Sequence, residues 1–165
     1  MPSHPLHDYK QPLSALVVIH TPDLQVLLIE RADYAGAWQS VTGSCEWGEP
    51  VQQTAIREVF EETGLHCNPP HQLHDWAKIN TYSIYEKWRH RYPPHTEHNT
   101  EHVFSLCIPQ PCPVVLAPRE HTNFIWLPYQ EAAQKVFSPS NASAILALPE
   151  HPSLVANSDR TKPHF

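Results

Sequence analysis

The segment 50–63 constrains the fold of this chain most, because residue type defines both of its ends. Pro50 suits the first position of a helix, where its missing N–H is not needed, and Gly64 suits the left-handed residue that ends one. Strands are predicted on both sides of this helix, and two further helices follow them. The predicted strands are 13–20, 24–30, 38–41, 73–86, 102–108 and 124–127, and the C-terminal helices are 129–136 and 141–148. Strands before and after one central helix indicate an α+β or α/β sandwich.

Length and composition narrow the class of protein. The 165 residues suit one domain, predicted over 1–148, and the polar, proline-bearing segment 149–165 is expected to be a mobile tail. The formal net charge of −6 argues against a general nucleic-acid-binding protein, which usually has a basic face. No apolar run approaches the roughly 18 residues that span a bilayer, the N-terminus lacks a signal-peptide layout, and the four cysteines form no C-x-x-C pair. These features predict a cytoplasmic protein with reduced thiols, without a membrane or nucleic-acid partner and of unspecified oligomeric state.

The central helix and the loop before it carry five glutamates in the segment 43–65. On a helical projection Glu58, Glu61 and Glu62 share one sector, while the apolar residues Ala55, Ile56, Val59 and Phe60 lie on the other side. Like charges at this spacing destabilise a helix, and the helix dipole disfavours anions near its C-terminus. A solvated acidic face is the ordinary interpretation. A divalent cation such as Mg²⁺ or Mn²⁺ would reverse the energetics, since both prefer hard oxygen ligands.

The spacing of these residues is a longer pattern that runs from Gly43 to Leu65. It reads G-x5-E-x7-R-E-x-x-E-E-x-G-(apolar), and every defining position is filled. On this motif, the Nudix box, the chain resembles the Nudix hydrolases. The resemblance implies an α/β/α sandwich with a mixed sheet, a loop-helix-loop that holds metal against a diphosphate, and hydrolysis of that diphosphate with Mg²⁺, or Mn²⁺ in its place, as cofactor.

The same resemblance implies roles for the box residues. Glu58 and Glu62 are expected to be metal ligands, and Glu61 a further ligand or the general base. Arg57 is expected to pair with Glu49 and orient the site. The five residues are therefore the expected catalytic group.

Segments outside the box carry a narrower resemblance, which runs from about residue 9 to 146. The sequences AWQSVTGS (37–44), RHRYPPHTEHNTEHVFSL (89–106) and REHTNFIWL (119–127) are similar to those of Nudix hydrolases that convert dihydroneopterin triphosphate to the monophosphate and pyrophosphate in folate synthesis. By this resemblance Glu120 is a further metal-binding carboxylate. The implied substrate contacts are Lys10, Arg31, Thr42, Tyr82, Ser83, Ile84, Tyr85 and Ser138. Lysine and arginine can meet phosphates, and tyrosine rings can flank a pterin.

Other functions stay open at this point. The substrate could be an ordinary or damaged nucleoside triphosphate, or the chain could be a Nudix-fold sensor that binds a small molecule without hydrolysis. A sensor is expected to lose box carboxylates, and here all are present. His90, His95, His98 and His102 do not favour a transition-metal site, because they lie in a predicted loop without a regular frame. Arg89 and Arg91 either form a basic patch for phosphate or anchor this loop.

Overall fold

The computed structural model describes residues 8–151 and contains the predicted elements in the predicted order. The strands are β1 (Leu13–His20), β2 (Gln25–Arg31), β3 (Trp38–Gln39), β4 (Val41–Ser44), β5 (Gln72–Ser83), β6 (His98–Cys107) and β7 (His121–Pro128). The helices are α1 (Val51–Thr63), α2 (Tyr129–Lys135) and α3 (Pro139–Leu146), with short 3-10 helices at Glu86–Arg91 and Leu148–Glu150. The predicted strand 38–41 is divided into β3 and β4. The predicted loop 90–100 is wrong at its end, because residues from His98 onward pair with β5.

The seven strands form one mixed sheet. Its order is β3-β2-β1-β6-β5, with β4 paired to β1 and β7 paired to β2. Strands β1 and β6 are parallel, and all other pairs are antiparallel. The predicted hairpin of β1 and β2 is present, but the two strands pair only at His20 and Val26. They diverge from there, and β4 lies beside the other end of β1.

Helices cover both faces of the sheet, so the predicted α+β sandwich is confirmed. On one face Ala55 and Val59 of α1 pack with alternate residues of β1 and β6, such as Val17 and Phe104. On the other face α2 and α3 pack on the intervening residues of the same strands, such as Leu16. This alternation follows from the two-residue period of a strand, whose successive side chains point to opposite faces.

Helix α1 has the predicted C-terminal end, but it begins at Val51, one residue later than predicted, because Pro50 has an extended backbone. Pro50 precedes its first residue, and Gly64 ends it at φ 75° while its N–H donates to Phe60 O at 2.8 Å. The predicted division into an acidic and an apolar face is wrong at two positions. Glu62 is only 1% exposed, and Phe60 is 50% exposed and lies against the His66 ring. Glu62 is buried because its side of the helix faces a cavity of the protein rather than bulk water.

Residues 149–151, the first of the predicted tail, are described and packed. The imidazole of His151 stacks on the Trp76 indole, with ring centroids 3.9 Å apart and planes 4° apart. The rest of the predicted tail, 152–165, lies outside the described residues. Within residues 8–151 no helix is long and apolar enough to cross a membrane.

Candidate active site

A cavity of about 1030 Å³ collects most of the residues that the sequence singled out. Strands β1, β4, β5 and β6, helix α1 and the loop before α3 all contribute to its wall. Its lining includes these predicted site residues: Lys10, Arg31, Thr42, Arg57, Glu58, Glu62, Tyr82, Ser83, Ile84, Tyr85, Glu120 and Ser138. Glu49 and Glu61 do not line it. The fold therefore brings together side chains from positions as far apart as 10 and 138.

Carboxylates of the cavity meet around Glu62. Its side chain is hydrogen-bonded to that of Glu58 and accepts the backbone N–H of Thr42, while its buried Oε1 has no hydrogen-bond partner. Burial raises the pKa of Glu62 well above its usual value, and the negative charges of Glu58 and Glu120 raise it further. A proton or a cation is therefore required where these carboxylates meet.

Arg57 holds the box together by contacts on both sides of its guanidinium. Its Nε and Nη2 donate to the two carboxylate oxygens of Glu49 at 2.9 and 2.8 Å, so the predicted pair is present. Its Nη1 donates to Glu58 at 2.7 Å and to Glu61 at 3.1 Å, and its Nη2 also reaches Ser44 O at 3.2 Å. Hydrogen bonds from Arg57 lower the pKa of Glu49 to about 2. Arg57 thus joins the loop before α1, strand β4 and the helix itself.

Glu49 and Glu61 both accept hydrogen bonds from Arg57, and neither lines the cavity. Glu49 also accepts the Thr54 hydroxyl at 2.7 Å and the Glu46 N–H at 3.1 Å, which ties the loop to the first turn of α1. The Glu61 side chain is 51% exposed and is not among the cavity-lining residues. The position of Glu61, one residue before Glu62 on a helix, rotates it about 100° from its neighbour.

Cationic side chains line the cavity near the carboxylates. Lys10, Arg31, Arg91 and Arg119 are among the lining residues. Burial lowers the pKa of Lys10, and the nearby positive charge of Arg91 lowers it further. Arg31 is already bound to Asp33, at 2.8 Å from Nε and 2.6 Å from Nη2. A phosphate that contacts Arg31 would have to share it with Asp33 or displace that carboxylate.

His121 supports the same end of the cavity and was not predicted as a site residue. It is buried, and its Nε2 lies 3.7 Å from Glu62 Oε1. Burial lowers its pKa to about 4, with a further contribution from Arg31, so the imidazole is neutral at pH 7. No salt bridge with a charged imidazole therefore exists at neutral pH.

Part of the cavity wall is aromatic. Tyr82, Tyr85, Trp88 and Phe137 line it, and all but Trp88 are substantially exposed. The Tyr85 and Trp88 rings meet edge to face at 5.3 Å. Exposed rings around a cavity are suited to hold a flat heterocycle.

The structure separates the two interpretations of Arg89 and Arg91. Arg89 Nε donates to Ile84 O at 3.0 Å and anchors the loop. Arg91 lines the cavity together with Tyr92. Sequence reasoning also left several lining residues without a role, among them Ser14, Asp33, Asn80, Asn99, Glu101, Arg119 and Ser140. The pairing of β1 with β6 is what brings Ser14, Asn99 and Glu101 to this wall, and no local motif marks that pairing.

The carboxylates around Glu62 offer oxygen ligands to a metal ion. Among residues 8–151 no three His, Cys, Asp or Glu side chains are already close enough to form a complete metal site. The donors nevertheless fit a hard cation, because Glu62 Oε1 is buried without a partner and two further carboxylates act on it. A cation there would also offset the repulsion from neighbouring carboxylates that raises the pKa of Glu62.

Comparison with known proteins decides the family. The profile of the NUDIX domain matches residues 10–148. The chain belongs to the NUDIX family. It is 40% identical over 139 residues to dihydroneopterin triphosphate diphosphatase of Escherichia coli K12, an alignment that covers 83% of this chain and 91% of that one. It is 37% identical to the Haemophilus influenzae protein of the same name, covering 83% and 87% of the two chains.

Structural comparison agrees with this assignment. The structure of the E. coli dihydroneopterin triphosphate pyrophosphohydrolase superposes with a TM-score of 0.76 at 40% identity, covering 83% of this NUDIX chain and 94% of that one. The protein is thus a NUDIX hydrolase that acts on diphosphate bonds, and its NUDIX homologues act on small-molecule substrates. NUDIX hydrolases generally use divalent metal ions.

Proposed function

We propose that this NUDIX hydrolase converts dihydroneopterin triphosphate to dihydroneopterin monophosphate and pyrophosphate in folate synthesis, with Mg²⁺ as its cofactor. One cavity that combines the carboxylate cluster with an aromatic part supports the proposal most directly. The two relatives named above act, by their names, on the same pterin triphosphate. Mn²⁺ is the alternative cofactor, because it accepts the same oxygen ligands.

Glu58, Glu62 and Glu120 are the residues that would hold the metal. Mg²⁺ bound there would neutralise phosphate oxygens and favour attack of water on phosphorus. Arg57 would keep Glu58 in position through its bonds to Glu49 and Ser44 O. This role makes Glu49 and Arg57 positioning residues rather than groups that touch the substrate.

The remaining lining residues would bind and orient the substrate. Lys10, Arg31 and Arg91 can contact phosphate oxygens, since all three are cationic and share the cavity with the carboxylates. Thr42, Ser83 and Ser138 offer small polar contacts. Tyr82 and Tyr85 can stack against the pterin, whose phosphates then extend toward Glu58.

Release of pyrophosphate from dihydroneopterin triphosphate, with and without Mg²⁺, tests the proposal. A panel of nucleoside triphosphates, ordinary and oxidised, is assayed beside it. We expect metal-dependent release with the pterin substrate preferred. A higher kcat/KM for a nucleotide would identify that nucleotide as the substrate and would leave the proposed hydrolysis of the diphosphate unchanged. Tight pterin binding without turnover of any compound would favour the sensor function. The control variant Glu131→Gln, on the exposed side of α2, should release pyrophosphate as the wild type does.

A further inference from the structure

Glu101 on β6 is a buried carboxylate in the wall of the cavity, and neither the metal cluster nor the phosphate contacts use it. It is 4% exposed and lines the cavity. Its hydrogen-bond partners are neutral: Asn80 Nδ2 donates to its Oε1 at 3.3 Å, and the Ser140 hydroxyl is its second partner. Within the described residues no lysine, arginine or histidine forms a salt bridge with it.

Burying an ionised carboxylate in this environment costs free energy that a purely structural role would not offset. A buried charge is normally compensated by a cation, as Arg57 compensates Glu49 in the same protein. Burial raises the pKa of Glu101, and its bonds from Ser140 and Asn80 offset only part of that rise. Additional N–H donors would favour the ionised form and supply the missing compensation.

The register of the sheet sets the distance between Glu101 and the part of the cavity where Glu58 lies. Glu101 pairs with Ser14 on β1, and Ser14 pairs with Ser44 on β4. Two strand spacings, about 10 Å, therefore separate Glu101 from β4, beside which Glu58 lies. A substrate whose heterocycle and diphosphate are joined by a flexible chain can reach both.

A buried acceptor without a partner lies two residues from Glu101 on the same face of β6. Asn99 is buried and lines the cavity, and its Nδ2 donates to Ser14 Oγ at 2.8 Å and to the Tyr82 hydroxyl oxygen at 3.0 Å. Its Oδ1 has no hydrogen-bond partner. This wall thus carries an unpartnered amide oxygen close to the buried Glu101 carboxylate.

We infer that Glu101 is a specificity-determining residue. It accepts hydrogen bonds from N3–H and the 2-amino group of a 2-amino-4-oxopyrimidine ring. This inference rests on the proposed pterin substrate. These two donors lie side by side on one edge of the pterin, and a carboxylate accepts both in parallel. Adenine and cytosine do not present two adjacent donors on one edge, so the same carboxylate disfavours them. Guanine carries the same edge and is the nucleotide base that this contact would tolerate.

Binding of free pterin and free lumazine at pH 7 tests the inference without any turnover. Lumazine carries an oxo group where pterin carries the 2-amino group. We expect the wild-type protein to bind pterin at least about tenfold more tightly, since each hydrogen bond to a charged group contributes about that factor. Glu101→Gln should remove the preference, because its amide can donate to the lumazine oxygen. Glu131→Gln should retain it. Equal binding of the two compounds by the wild type, or an unchanged preference in Glu101→Gln, would overturn the inference.

A second measurement on the wild type does not depend on the folding of any variant. Methylation at N3 removes one of the two donors, so 3-methylpterin should bind at least about tenfold more weakly than pterin. Equal affinity would count against the contact. Pyrophosphate release from dihydroneopterin triphosphate is measured in parallel. Release without a pterin preference would refute the role of Glu101 alone, and a Glu101-dependent preference without release would refute the proposed reaction alone.

Discussion

The carboxyl group of Glu58 occupies the space that a side chain at Gly43 would need. A β-carbon placed on Gly43 would come within 2.5 Å of both Cγ and Oε1 of Glu58, closer than such atoms approach in proteins. Gly43 lies on β4 and Glu58 on α1, so the glycine sets how closely this carboxylate can approach the strand. The first position of the Nudix box is therefore a glycine because of contact, and a positive φ is not its reason.

Gly43→Ala should displace the Glu58 carboxylate while leaving the fold intact. The displaced group is the end of a flexible side chain, so the thermal midpoint should change little. We expect kcat/KM to fall about 100-fold, the loss typical of a catalytic group misplaced by about 1 Å. The same substitution in a Glu58→Gln background should add little further loss, because the two changes then affect one function. Additive losses would show that Gly43 acts elsewhere.

Glu61→Gln and Glu62→Gln should differ in their effects, although the two residues are adjacent. Glu62 is buried in the carboxylate cluster, whereas Glu61 is half exposed and bound to Arg57. We expect Glu62→Gln to lower kcat/KM at least about 100-fold and to raise the Mg²⁺ concentration needed for half-maximal activity. Glu61→Gln should cost less than about tenfold. Equal losses would restore a ligand or general-base role for Glu61.

Glu49→Gln should destabilise the protein, and the effect should depend on pH. Glu49 has a pKa of about 2 in the folded state, below its usual value near 4.5, so its contribution is present above 4.5 and is lost as pH falls through 2. At pH 7 we expect the free energy of unfolding to fall by about 1–3 kcal/mol. Urea denaturation at pH 7 and at pH 3 should show the difference from wild type shrinking at the lower pH.

Glu46→Gln is the matched control for Glu49→Gln. Glu46 also lies in the box loop, but its carboxylate is 4.0 Å from Arg57 and its side chain is mostly exposed. Its substitution should change the free energy of unfolding by no more than about 0.5 kcal/mol. If Glu46→Gln lowered the free energy of unfolding as much as Glu49→Gln, the negative charge of the loop would stabilise this segment, rather than the two hydrogen bonds between Arg57 and Glu49.

His151→Ala should lower stability and expose Trp76. The stacked pair covers an indole that is otherwise part of the core on the α2 and α3 side, and aromatic pairs contribute about 0.5–1.5 kcal/mol beyond their burial. We expect a loss of about 1 kcal/mol in the free energy of unfolding and increased quenching of tryptophan fluorescence by acrylamide. His90→Ala, at an exposed position, is the control. Unchanged stability and quenching would assign residues 149–151 to the tail.

The sequence by itself predicted the family, the order of elements and the spacing of the box residues. Pro50 and Gly64 define α1 locally, and the spacing from Gly43 to Glu62 places carboxylates on adjacent turns of one helix. These signals are short-range, so they can be read without knowing what the helix packs against. The same reasoning failed for Glu62 and Phe60, since burial depends on neighbours that helical periodicity does not specify.

Only the tertiary structure decided which residues share the cavity. Parallel pairing of β1 with β6 joins residues more than 80 positions apart, and it puts Ser14, Asn99 and Glu101 on one wall. Glu49 and Glu61 belong to the box but contact Arg57 and do not line the cavity. Long-range pairing and burial determine these positions, because a side chain's desolvation and partners are set by elements that are distant in sequence.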